Sequence, residues 1–282
     1  MKLTLKEPST GGVLYMHIGN PDFGRNFFKE RTESILTIAW NRGTSQLITV
    51  DGISYTFPAN TILPLVVNQT FHFEDASSVI AWQFNRQFYC IVDHDKEVSC
   101  VGFLFYHTQQ LMFLKPSEKE TRSLELMLEV FQEEFDNHDT IQAEMLRMML
   151  KRFIIKCTRM AKDQYLNPGL DQQEYDLLRK FNLLVENHYR TKHQVSDYAE
   201  LLNKSPKTLS NLFALYNHKT PLQIIHERII VEARRLFLYT DKSSKEIAYE
   251  LGFEDPAHFS KFFKKQTGVA PSEFKEKIFQ PS

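Results

Sequence analysis

Two short polar stretches of this chain place hydrogen-bonding side chains at helical spacing: Lys207, Thr208, Ser210 and Asn211 in the first, and His258 and Lys261 beside Ala257 in the second. Groups three and four residues apart project from one face of a helix. From such a face they can meet base edges in the major groove of DNA, where Asn pairs bidentately with adenine, Lys with guanine, and Ala257 reaches at most a thymine methyl. The Ser205 hydroxyl and Lys219, Lys264 and Lys265 are suited to phosphate oxygens instead. The plainer reading of each exposed lysine is a solvated surface residue. Other chemistries are poorly supplied. His72 has no second histidine two residues on, only Glu74 and Asp75, so one imidazole leaves most of a coordination shell unfilled and neither metal nor cofactor is expected. Cys90, Cys100 and Cys157 are odd in number and lack CxxC spacing, which fits reduced, packed thiols. No set of residues suggests a catalytic site.

The elements that must carry the two polar faces are legible around them. In the stretch from Ser243 to Lys275, Ser243 or Ser244 can cap a helix with Ile247, Ala248 and Leu251 apolar, and Gly252 supplies a positive φ at its end. Asp255 with Pro256 then opens a second helix whose Phe259 and Phe263 turn inward. The pattern occurs once more upstream. There Ser196 is expected to cap a helix with Tyr198, Ala199 and Leu202 inward; Asn203 takes the turn, and Ser205-Pro206 starts a helix buried through Leu209, Leu212 and Phe213. Thr220 to Tyr239 reads as one long helix joining the units, so the chain predicts two helix-turn-helix motifs on a stiff connector.

The run Ile247, Ala248, Gly252, Phe253, Phe259, Phe263, Gly268 and Pro271, following the Ser205/Leu209/Phe213 unit, resembles the DNA-binding domain of AraC/XylS-type bacterial transcription regulators. The resemblance covers roughly Tyr175 to Lys277. It implies two reading helices in successive major-groove segments about one helical turn, roughly 34 Å, apart. It also implies a sequence-specific regulator, by family habit an activator, with double-stranded DNA and RNA polymerase as partners. Asn211 stands where many members carry arginine, so the adenine preference of Asn is expected there. Phe274-Lys275 replaces the family's usual aromatic-arginine pair.

The chain has 282 residues, enough for about two domains, with ordinary hydrophobic (42%) and charged (24%) content. A net charge of −1 hides an asymmetry. From Gln173 onward 17 Lys and Arg face 14 Asp and Glu, while the remainder is net acidic, so the positive excess lies with the predicted DNA-reading part. MKLTLKEP lacks the apolar core of a signal peptide and no run reaches the ~18 apolar residues of a membrane span, which predicts a cytoplasmic protein.

Upstream of the reading helices the residues imply a different architecture. From about 34 to 112, short Ile/Val/Phe/Thr/Tyr runs broken by turn residues predict an antiparallel barrel, with Asp51-Gly52 its clearest hairpin; residues 1–33 give no dependable period beyond a short strand at VLYMHIG. The pattern is similar to the small cupin barrel preceding the DNA-binding domain in many AraC-type regulators, which implies a small-molecule effector. Trp40, His72 and Trp82 are candidate wall residues, though aromatic residues in short strands are usually core and a lone histidine is usually a hydrogen-bonded structural one. From 118 to 162 the period becomes helical. Leu124, Leu128, Phe131, Leu146, Leu150 and Phe153 form the stripes of a helical pair, and the resemblance makes that pair a homodimer interface; the alternative is that it only covers the barrel.

The expected fold is therefore α+β: a cupin-like effector-binding and dimerisation domain over 1–162, a linker over 163–173, and an all-α double helix-turn-helix domain over 174–282. Two other readings stand beside the effector-responsive regulator. One is a regulator whose barrel is only a dimerisation scaffold; the other is a cupin-type enzyme with an accessory DNA-binding domain, which needs a metal.

Overall fold

The computed structural model describes residues 1–25, 35–51, 53–67, 69–90, 104–105, 111–165, 172–216 and 219–279. Two compact units result, Met1–Leu166 and Asn167–Ser282. Residues 166–171 of the expected linker and Cys100 lie outside the described residues.

The first unit is built on nine described strands: β1 (Lys2–Glu7), β2 (Gly12–Ile18), β3 (Gly24–Arg25), β4 (Ile35–Asn41), β5 (Gln46–Val50), β6 (Ile53–Phe57), β7 (Ile62–Leu65), β8 (Phe71–Phe73) and β9 (Val79–Asn85). They form a five-stranded sheet, β1-β2-β9-β4-β7, and a four-stranded sheet, β3-β8-β5-β6. The arrangement is barrel-like rather than a closed barrel. Val50 pairs with Ile53, so the hairpin at Asp51 has the two-residue turn its sequence predicts; Asp51 takes a φ of 50°, as such turns require. The sheets start earlier than expected. β1 is an edge strand whose KLTLKE alternation buries only one face partway, so too little apolar signal marks it as a strand.

Between the sheets lie Phe23, Ala39, Ile48, Val50, Phe57, Leu63, Leu65, Phe71, Phe73 and Ala81. The opposite face of the five-stranded sheet is buried as well, because two helices lie on it: α1 (Glu118–Asp136) and α2 (Gln142–Tyr165). Ser117 and Glu120 form a reciprocal capping box at the start of α1, satisfying backbone donors that a helix end otherwise leaves open. The Trp82 ring lies 5.9 Å from Phe131 of α1 and 4.3 Å from Phe153 of α2, which places the seam of sheet and helices at that indole.

The second unit is all helical: α3 (Gln172–His188), α4 (Val195–Leu201), α5 (Pro206–Tyr216), α6 (Pro221–Tyr239), α7 (Ser244–Glu250), α8 (Pro256–Thr267) and α9 (Pro271–Phe279). Its caps follow the residue types. Thr220 with Gln223 and Ser243 with Glu246 form capping boxes, and Asp255 accepts from the Ala257 N–H at 2.9 Å. Asn203 (φ 52°) and Gly252 (φ 78°) take the left-handed turns. One start is corrected. α4 begins at Val195, and the Asp197 carboxylate accepts from the Gln194 N–H at 3.1 Å, so Ser196 lies inside the helix rather than at its cap. Both motifs share a single core in which Phe181, Tyr198, Phe213, Ile224, Ile229, Phe237, Phe253, Phe259 and Phe263 form one cluster.

Candidate nucleic-acid interface

Helix α5 buries Leu209, Leu212 and Phe213 and leaves Lys207, Thr208, Ser210 and Asn211 exposed. Helix α8 repeats the division, with Phe259 and Phe263 inside and Ala257, His258, Lys261, Lys264 and Lys265 outside. The physical cause is the same in both. Each is a second helix pinned at its start by a cap and at its underside by large apolar groups packed on α4 or α7, so its remaining face has only solvent to meet.

Hydrogen bonds refine the roles of these side chains. Ser205 is occupied, since its Oγ accepts from the Thr208 N–H at 3.0 Å and lies 2.8 Å from the Thr208 hydroxyl. Ser210 donates to the Pro206 carbonyl at 2.9 Å and keeps its lone pairs for an incoming donor. Lys219 is drawn to Glu227 at 2.7 Å, which lowers its value as a phosphate partner. Among the described residues Lys207, Lys261, Lys264 and Lys265 form no ion pair within the chain, so their ammonium groups remain available to an anion. The His258 ring stands edge-on to Phe253 at 5.6 Å, which orients the imidazole without burying it.

The connector α6 joins the two helix-turn-helix motifs. Its 19 residues make a rod of about 28 Å, comparable with one turn of B-DNA. Glu232 lies fully buried on the apolar side of this rod. Its Oε1 accepts from Arg190 at 2.8 Å and Arg235 at 2.6 Å, and its Oε2 lies 3.4 Å from Arg228. Burial opposes its charge, but the Arg235 hydrogen bond and the charges of Arg228 and Arg235 outweigh burial and hold the carboxyl down to about 2. Sequence reasoning missed this residue. A glutamate in step with Ile225, Ile229 and Leu236, flanked by arginines at −4 and +3, was the signal for it.

Of the effector candidates, Trp40 and Trp82 share a face on the paired strands β4 and β9, and His72 on β8 does not join them. Trp40 and Trp82 lie on the helix-covered side of the five-stranded sheet, opposite the face that looks between the sheets. Trp40 Nε1 donates to Asn60 at 3.0 Å, under the Arg42 guanidinium at 4.3 Å. His72 is exposed, because its neighbours Phe71 and Phe73 take the inward positions of β8. The inward-facing polar groups are others. His17 Nε2 lies 3.1 Å from Gln83 Oε1, and the Thr37 hydroxyl accepts from Gln83 and from the buried Arg25. Of the dimer candidates, Leu124, Phe131, Leu146, Leu150 and Phe153 are buried within one chain and Leu128 is half-buried; the sheet already covers their stripes. Exposed apolar side chains stand on the outer faces instead: Leu126 and Val130 on α1, Ile141 and Met148 around the start of α2, with Met145 beside them.

Residues 198–277 match the family described as "Helix-turn-helix domain". The HTH-type transcriptional activator RhaS of Enterobacter sp. (strain 638) is 24% identical over 158 residues, 56% of this chain and 54% of that protein. The HTH-type transcriptional regulator ExsA of Pseudomonas aeruginosa is 30% identical over 95 residues, 34% of each chain. The chain therefore spans about half the length of the first relative and a third of the second. A solved structure of ToxT from Vibrio cholerae matches 95% of this chain and 98% of its own at 17% identity and a TM-score of 0.43. Among the described residues no helix is long and apolar enough to cross a membrane.

Proposed function

We propose that this chain, whose C-terminal unit is an AraC-type helix-turn-helix domain, is a sequence-specific DNA-binding transcription regulator acting as an activator. The observation that carries the reading is the pair of second helices, α5 and α8, each presenting exposed polar and cationic groups outward from one shared core. Lys207, Thr208, Ser210 and Asn211 read bases in one major-groove segment, and Ala257, His258 and Lys261 face bases in the next. Lys264 and Lys265 contact phosphates, with Ser205 and Lys219 secondary to them. RNA polymerase is the partner through which activation acts, and the cytoplasm the compartment in which it meets DNA. The test is a mobility-shift assay on duplexes selected from genomic fragments. Lys207→Ala combined with Lys261→Ala abolishes specific binding while the helical circular dichroism stays unchanged; unaltered affinity overturns the reading.

The N-terminal unit is the dimerising and sensing part in this proposal. Its outer helical faces expose Leu126, Val130, Ile141, Met145 and Met148, an apolar strip that a second copy of the chain would cover. A small effector would enter between the sheets, near His17, Thr37 and Gln83. The second reading, a barrel serving as scaffold without an effector, draws support from the phenylalanines that already occupy the space between the sheets. A thermal-shift screen separates the two, since a ligand that binds only the folded state raises the melting temperature.

A further inference from the structure

The two reading helices are tied to each other by more than the connector. Arg190, just beyond the C-terminal end of α3, touches two other elements at once. Its guanidinium reaches the fully buried Glu232 on α6 at 2.8 Å. Its carbonyl lies against the turn of the second helix-turn-helix, so close that a Cβ built on Gly252 would stand 2.0 Å from the Arg190 oxygen. Three residues on, the His193 ring packs 4.7 Å from Phe253, again in that turn. The same loop leads directly into α4, the first helix of the first helix-turn-helix, and Tyr198 of α4 donates back to the Lys192 carbonyl at 2.8 Å.

The loop from 190 to 193 is therefore a bracket. One end grips the rod, one side abuts the second motif, and its exit is the first motif. The grip on the rod is reinforced next to it, where Arg228 of α6 clamps Glu186 of α3 at 2.5 and 3.0 Å and lies 3.9 Å over the Tyr189 ring. Buried ion pairs of this kind add little stability over a well-packed apolar replacement, and their best-attested use is to fix register. Apolar packing tolerates small slides, whereas a carboxylate shared among three guanidinium groups admits few arrangements.

We propose that the Arg190–Glu232 bracket is a positioning device that fixes the separation of the two reading helices, and so makes the protein discriminate the spacing between the two segments of its operator. The inference rests on the two-segment DNA reading proposed above. A change of one base pair moves a groove segment by about 3.4 Å and turns it by about 35°, more than side chains of a rigid pair can follow. A pair whose bracket is released follows it by shifting one motif against the other. Arg190 and Glu232 touch no DNA in this account and act only through the motifs they hold.

The test uses the full chain and a duplex selected by it from genomic fragments, together with the same duplex carrying one base pair inserted or deleted between the two protected segments. Affinities are read by fluorescence anisotropy for the unaltered protein, Glu232→Gln and Arg190→Ala. The unaltered protein loses about 30-fold or more on each altered duplex, as expected for the loss of one segment's base contacts. Both variants bind the selected duplex within about 10-fold of the unaltered protein and lose no more than about 3-fold on changing its spacing. Should Glu232→Gln fail to fold, Arg190→Ala still decides, because its side chain is 47% exposed and its removal leaves no buried void. Spacing penalties in the variants equal to those of the unaltered protein overturn the inference and leave the DNA-binding reading intact. Failure of the unaltered protein to select any duplex overturns that reading itself.

Discussion

Gly252 and Gly268 make a matched pair for measuring how tightly the second helix-turn-helix is held. Both take left-handed backbone, at φ 78° and 81°, so replacing either with alanine costs about 1–2 kcal/mol for the Cβ, partly offset by about 0.4–1 kcal/mol from a stiffer unfolded chain. Their surroundings differ. A Cβ at Gly268 meets nothing within 4 Å, whereas one at Gly252 falls 2.0 Å from the Arg190 carbonyl oxygen and 3.0 Å from its carbon. Relieving that overlap means moving a loop anchored through Glu232, and overpacking of this kind costs about 1–3 kcal/mol more. Gly268→Ala is therefore expected to lose about 0.5–1 kcal/mol and Gly252→Ala about 2–4 kcal/mol. Urea denaturation of the full chain, followed by helical circular dichroism with the slope unchanged, gives both values. Losses equal to within about 0.5 kcal/mol would refute the close approach of loop and turn, since the shared φ alone would then account for them.

Two further outcomes follow from the charges. His17 is buried between the sheets, and burial, then Lys2, push its imidazole from 6.5 down to about 4. A folded value below the unfolded one means stability fully present above pH 6.5 and lost as pH falls toward 4, about 3 kcal/mol over the whole window. His17→Gln removes that slope, which urea midpoints at pH 7 and 4.5 detect as the difference between the two proteins; parallel profiles would count against a neutral buried imidazole. Lys264 and Lys265 are assigned to phosphates, so replacing both with alanine reduces the slope of log affinity against log salt by about 1.8 without altering the preferred sequence. An unchanged slope removes them from the interface.

The helical unit was legible because its boundaries are written in residues with few alternatives. Ser243 with Glu246, Asp255 before Pro256, Thr220 before Pro221, and the left-handed Asn203 and Gly252 each take the position their chemistry favours. Ser196 misled by two residues because Asp197, a carboxylate that reaches back to the Gln194 N–H, does the capping instead. The sheet unit hid more. β4, β7 and β9 are covered on both faces, so ILTIAWN, ILPL and VIAWQFN lose the alternation that would separate one face from the other. Nothing local then tells that Trp40 and Trp82 face helices. The stripes of α1 and α2 were visible at their spacing, but a stripe names no partner, and the sheet claims it before a second chain can.

The most direct test of two reading helices on one duplex is a hydroxyl-radical footprint of the selected operator with three proteins: unaltered, Lys207→Ala with Asn211→Ala, and His258→Ala with Lys261→Ala. The unaltered protein is expected to protect two segments about 10–10.5 base pairs apart, with each double variant erasing a different one. A single protected segment, or the same segment lost in both variants, would contradict the account.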